Sequence, residues 1–169
     1  PNSVTSITPE AFRGCACLVE AQIPNSVTSI DDFAFQGCTS LAEIQIPSSV
    51  TSIGNGAFRG FTSLSLTEVQ IPNIVTSIDD CAFSGCTSLN KVQIPSSVTS
   101  IGNGAFRGFT SLSLTEVQIP MTCIGNGGFR ACTSLTEVQL PDSLTDSGLD
   151  ALSGCTSLTD VYNQNQQVP

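Results

Sequence analysis

The chain has 169 residues, 40% of them apolar and 11% charged, with five Lys+Arg against 14 Asp+Glu and a net charge of −9. The length fits one domain, the apolar share excludes an acidic disordered tail, and the shortage of cations argues against a nucleic-acid backbone as partner. No apolar run reaches the ~18 residues of a membrane-spanning helix.

Prolines at positions 1, 24, 47, 72, 95, 120 and 141 divide the chain at intervals of 23, 23, 25, 23, 25 and 21 residues. A period of this size over a whole chain predicts a solenoid, in which each turn buries its apolar face only against its neighbours. Seven turns at the ~4.8 Å spacing of neighbouring strands make a body roughly 30 Å long. The first turn begins at Pro1 without a Met or a signal peptide. It is expected to be the start of a fragment, a processed form or the ordered part of a longer protein, with more repeats, a cap or a partner upstream, because an uncapped turn exposes core residues.

The second turn, Pro24 to Ile46, is typical. Val27 and Ile30, flanked by Ser26, Thr28 and Ser29, predict a short extended segment. Asp31 and Asp32 follow, with Gly-Asn at the same place in later turns, and are expected to cap a helical turn. Ala34-Phe35-Gln36-Gly37-Cys38 is too short for an α-helix and predicts one helical or 3₁₀ turn, closed by Gly37 in the left-handed conformation. Leu41, Ile44 and Ile46 then point inward from a strand, and Glu43 and Gln45 outward. Pro47 stops the ladder.

The third and fifth turns share one sequence, since Gln45–Pro72 recurs letter for letter as Gln93–Pro120. Both are two residues longer, with Ser-Leu-Ser-Leu at 63–66 and 111–114, and both carry Phe61 or Phe109 where other turns have Cys. The wider corner and the larger ring are expected to compensate, because voids are costly. In the sixth turn Met121-Thr122-Cys123-Ile124 shortens the path after proline. The seventh drifts from the pattern, and the polar run from Asn163 to Pro169 is expected to be a cap or tail after a solenoid spanning 1–162. Two inward columns recur throughout: Phe12, Phe35, Phe58, Phe83, Phe106, Phe129 and Leu152 in one, and Leu18, Leu41, Leu64, Leu89, Leu112, Leu135 and Leu158 in the other.

The segments IPNSVTSIDDFAFQGCTSLAEIQIP, from Ile23 to Pro47, and IPSSVTSIGNGAFRGFTSLSLTEVQIP, from Ile46 to Pro72, resemble the BspA-type, or Treponema pallidum-type, leucine-rich repeat. The resemblance extends from Pro1 to about Tyr162. It implies a leucine-rich-repeat, right-handed parallel β-solenoid of about seven turns of 21–25 residues, used for adhesion or protein binding and commonly found on microbial or protist surfaces. It carries no catalytic residue onto this chain.

Several side-chain columns remain as candidates for function. Cys15, Cys38, Cys86, Cys132 and Cys155 share one position. Cys15–Cys38 and Cys132–Cys155 are within reach of bridging, but the Phe in two turns favours free thiols filling an apolar slot. Cys17 and Cys123 stand where other turns have Ser and are expected to be exposed. Without His, and without a second cysteine pair at zinc spacing, no metal site is predicted. Asp31-Asp32 and Asp79-Asp80 suit capping better than Ca²⁺. A column of Thr from Thr5 to Thr145 is a poor match to ice-binding solenoids, whose Thr-x-Thr pairs it lacks. No nucleophile–base pair and no phosphate-binding Gly loop is present.

Glu20, Glu43, Glu68, Lys91, Glu116, Glu137 and Asp160 occupy one outward strand position, and Gln22, Gln45, Gln70, Gln93, Gln118, Gln139 and Tyr162 the next. The first column is either simply solvated or complementary to something basic. The Gln column is expected to form an amide ladder from turn to turn. The expected function is a non-enzymatic binding or scaffold module that presents this Glu/Gln face to a protein partner, without cofactor, metal or nucleic acid. The alternative is a structural subunit filling space in a larger assembly. A cell-surface or secreted location is implied by the resemblance alone.

Overall fold

A computed structural model describes residues 3–62, 68–89, 91–110, 116–118, 123–140, 142 and 144–163. Each turn contributes two short strands. The first set comprises β1 (Ser6–Ile7), β3 (Ser29–Ile30), β5 (Ser52–Ile53), β7 (Ser77–Ile78), β9 (Ser100–Ile101), β11 (Cys123–Ile124) and β13 (Asp146–Ser147). These seven pair in sequence order as one parallel sheet. The second set comprises β2 (Glu20–Gln22), β4 (Glu43–Gln45), β6 (Glu68–Gln70), β8 (Lys91–Gln93), β10 (Glu116–Gln118), β12 (Glu137–Leu140) and β14 (Asp160–Asn163). All strand pairs are parallel and join equivalent residues of adjacent turns, Ser6 to Ser29 and Glu20 to Glu43 for example. The molecule is a parallel β-solenoid.

The second ladder is not continuous among the described residues. It falls into β2–β4, β6–β8 and β10–β12–β14. The breaks come before β6 and β10, the strands that follow the two Ser-Leu-Ser-Leu expansions, which themselves lie outside the described residues. Two extra residues on one side of a corner shift where the next strand starts relative to its neighbour.

The expected helical or 3₁₀ turn is absent. Residues 31–38 form consecutive tight turns instead, and their hydrogen bonds show why. Ala34, Gln36 and Cys38 donate their amides back three residues, to Asp31, Phe33 and Phe35 at 3.0–3.2 Å. The intervening amides of Phe33, Phe35 and Gly37 donate across to Asn55, Ala57 and Arg59 of the next turn at 2.7–2.9 Å. A helix would direct every amide along its own axis, and here half of them stitch the stack. Two left-handed residues per turn enforce the alternation, Phe33 (φ 57°) and Gly37 (φ 71°) in the second turn. Glycine suits the latter position, and in the sixth turn Ala131 adopts φ 59° there.

Capping is corrected in the same way. Asp32 accepts the backbone amide of Asn55 one turn on (2.8 Å), and Asp80 that of Asn103 (2.6 Å). Asn103 and Asn126 continue the relay to Asn126 and Leu149, each at 2.8 Å. The side chains cap the neighbouring turn, not a helix within their own.

The core is the predicted pair of columns. Phe12, Phe35, Phe58, Phe83, Phe106 and Phe129 form one stack, with centroids 5.0–5.7 Å apart and planes within 15°. Phe61 and Phe109 are buried and meet the stacked ring of their own turn edge-on, 5.6 and 5.8 Å from Phe58 and Phe106. They fill the cysteine slot, as their position predicts. Leu41, Leu89 and Leu135 are fully buried.

Candidate partner-binding face

Strand alternation places the proposed face. In β4 and β6 the central Ile44 and Val69 are buried, while Glu43, Gln45, Glu68 and Gln70 are exposed. Glu20 and Gln22 are exposed in β2, and Asp160 in β14. Glu137, Gln139 and Tyr162 are half-buried. Lys91, Gln93, Glu116 and Gln118 fall in register with these positions along the backbone: Glu68 pairs with Lys91, Gln70 with Gln93, Glu116 with Glu137 and Gln118 with Gln139. The predicted residues thus share one side of the second strand set, in three pieces.

The contacts printed along this face are short-range. Gln22 Nε2 donates to Glu20 Oε1 at 2.8 Å, within one strand, where a turn-to-turn amide ladder was expected. Tyr162 OH donates to Glu137 Oε2 at 3.5 Å across β12 and β14. Like charges meet directly at Glu20–Glu43 and Glu137–Asp160, an arrangement that costs stability and leaves a negative field over the surface.

The other columns have structural roles. Thr28 and Thr51 hydroxyls donate to the carbonyls of Thr5 and Thr28, both at 3.1 Å. Ser49 and Ser97 donate to Val27 and Val75 at 2.6 and 2.7 Å. These hydroxyls bind the scaffold, which leaves little for an ice lattice. Among the described residues no group of three or more Cys, Asp or Glu is arranged to hold a metal ion, and no helix is long and apolar enough to cross a membrane.

The eight cysteines are free. Cys38, Cys86, Cys132 and Cys155 each donate their thiol to a phenylalanine carbonyl of a preceding turn, at 3.0–3.2 Å. That repeated bond satisfies the one polar group of an otherwise apolar slot. Burial pushes Cys38 up to about 11 and Cys86 up to about 12. Cys132 and Cys155 are coupled. Their hydrogen bond, with burial, holds Cys132 protonated well above the thiol range, and the same bond pulls Cys155 down to about 7. Cys15, Cys17 and Cys123 are exposed.

One feature was missed from the sequence. Asp79 is raised above the usual aspartate range by burial, then by the charges of Asp32 and Asp80, against a hydrogen bond from Ser77. Asp32 lies two turns away in sequence, and only stacking brings the two carboxylates together.

Parallel turns of 21–25 residues, with an inward Phe/Leu core and paired short strands, define a leucine-rich-repeat solenoid. The chain belongs to the family described as the BspA type leucine rich repeat region, whose profile matches in six copies over residues 1–65 and 59–168. The leucine-rich repeat protein of Treponema pallidum has a similar crystal structure, with 35% identity and a TM-score of 0.82 over 92% of this chain and 72% of that one. A leucine-rich cell surface protein of Faecalibacterium prausnitzii is 27% identical, with a TM-score of 0.49 over 99% of this chain and 59% of that one. The pneumococcal vaccine antigen PcpA shares the fold at 16% identity, with a TM-score of 0.62 over 83% of this chain and 34% of that one. Comparison with curated proteins gives no match.

Proposed function

We propose that the solenoid is a non-enzymatic protein-binding module that offers its Glu/Gln strand face to a basic segment of a partner protein. Membership of the leucine-rich-repeat family supports a binding or scaffold role. The observation that carries the finer reading is the set of like charges held in register, Glu20 on Glu43 and Glu137 on Asp160. A folded chain that keeps carboxylates opposed gives up stability there, and a cationic partner relieves that cost on binding.

The test is association of a Lys/Arg-rich peptide, followed kinetically at low and high salt. The Glu20→Lys/Glu43→Lys variant is expected to slow association about tenfold, chiefly in the on-rate, with an unchanged circular dichroism spectrum. The Thr28→Lys/Thr51→Lys variant, on the other strand set, should retain most of the association rate. An unchanged on-rate in the Glu variant would move the binding surface elsewhere.

A further inference from the structure

The positive charge of the chain is concentrated at one position of the turn. Of its five cations, four are Arg13, Arg59, Arg107 and Arg130, in the column that turns two, four and seven fill with Gln36, Ser84 and Ser153. All four arginines are exposed. Arg13 bonds Glu10 at 2.8 Å, and Arg130 lies 3.8 Å from Asp150. Arg59 and Arg107 have no ion-pair partner among the described residues. Arg59, Arg107 and Arg130 line an open groove of about 710 Å³ that also includes Ser84, Asn103 and Asn126. Both asparagines already accept amides of the next turn through their Oδ1 atoms. The polarity left for a ligand is therefore mainly that of the arginines, on a chain whose net charge is −9.

We propose that this arginine edge docks against the acidic strand column of a second copy of the chain, the two solenoids lying side by side with the fourth turn level with the fourth. The proposal rests on the reading of that column as a docking face. Two observations single out a second copy.

The first is rise. Both columns repeat once per turn, at the ~4.8 Å strand spacing, whereas same-side residues of an extended peptide recur at roughly 6.6 Å and fall out of step. A carboxylate ladder on another solenoid of the same rise stays in step throughout.

The second is register. The turns that carry Arg13, Arg59, Arg107 and Arg130 at the edge carry Glu20, Glu68, Glu116 and Glu137 on the strand. The fourth turn has Lys91 on its strand and the neutral Ser84 at its edge. With fourth turns level, every arginine faces a carboxylate and Lys91 faces Ser84. This holds for parallel axes, and also for antiparallel axes, where Asp160, Glu116, Glu68 and Glu43 take the arginines in turn. A slip of one turn in either direction sets Lys91 against Arg59 or Arg107, a like-charge contact that disfavours the wrong register.

Sedimentation of the whole chain over a concentration series at ~0.15 M salt tests the proposal, since that salt screens the long-range repulsion of two acidic copies beyond ~8 Å. The wild type is expected to self-associate. Arg59→Glu/Arg107→Glu and Glu68→Lys/Glu137→Lys should each weaken association about tenfold or more, and an equimolar mixture of the two variants should restore it. Ser84→Lys should weaken association and Ser84→Lys/Lys91→Glu should recover it, which tests the register. A monomeric wild type, variants that associate like the wild type, or a mixture that fails to recover overturns the proposal. So does a wild type that stays monomeric while its groove binds a polyglutamate or nucleic-acid probe, because the occupant is then another polyanion. The Arg59→Glu/Arg107→Glu variant keeps its strand face and should still bind the Lys/Arg-rich peptide. Loss of self-association alone therefore separates from failure of the basic-partner reading.

Discussion

Phe58 and Phe12 occupy the same position in two turns and differ in what covers them. Phe58 is 0% exposed and sandwiched between Phe35 and Phe83, whereas Phe12 is 37% exposed and stacks on Phe35. Phe58→Ala is expected to cost ~3–5 kcal/mol, and Phe12→Ala clearly less, because solvent already reaches its ring. Chemical denaturation checks both, and equal losses would contradict a core that deepens away from the first turn. Asp79 gives a pH test. Its folded pKa lies above the unfolded value of about 3.9, so the folded state binds the proton more tightly and loses stability as pH rises from the unfolded to the folded value. Above both, the penalty is complete. Asp79→Asn should therefore stabilise the protein at neutral pH, while still accepting the Ser77 hydrogen bond, and the advantage should vanish below the unfolded value. Urea titrations at neutral and acid pH measure the difference.

At the scale of the element, the tight-turn segment is where sequence reasoning and structure part. Ala-Phe-x-Gly-Cys was legible as a compact turn, and Gly37 as left-handed. The missing helix was not, because the competing acceptors belong to residues 22 positions away, as with Phe33 and Asn55. Local propensity does not see them. The inward Phe, Leu and Cys positions were legible because they depend on period alone. The left-handed slot held by Ala131 predicts a gain. Six other turns have Gly there, and a left-handed Ala costs roughly 1–2 kcal/mol, partly offset by the greater freedom that Gly gives the unfolded chain. Ala131→Gly should raise stability by up to about 1 kcal/mol, read as a shift in denaturation midpoint. The cysteine slot predicts an order of reactivity. Native alkylation followed by mass spectrometry should modify Cys17 and Cys123 early and leave Cys86, buried and pushed up to about 12, unmodified until the chain unfolds.

Over the whole molecule, one strand set forms a single sheet of seven strands while the other is divided in three. The sequence showed where the acidic and glutamine positions fall, since alternation and period fix them. It did not show the divisions, which arise from how an expanded corner meets a shorter neighbour. A further consequence lies in the letter-for-letter identity of Gln45–Pro72 and Gln93–Pro120. Excising residues 47–94 joins Ile46 to Pro95, which rebuilds an Ile-Pro junction already present. The second turn then meets the former fifth, whose residues are those of the third, and the fifth keeps the sixth as its neighbour. No side-chain interface is created that the protein does not already contain. The shortened chain should fold cooperatively and measure roughly 10 Å less along its axis by X-ray scattering, two strand spacings. Corner size varies from turn to turn while the step between turns does not. The chain is in that sense a ruler, whose length is set by counting turns and not by counting residues.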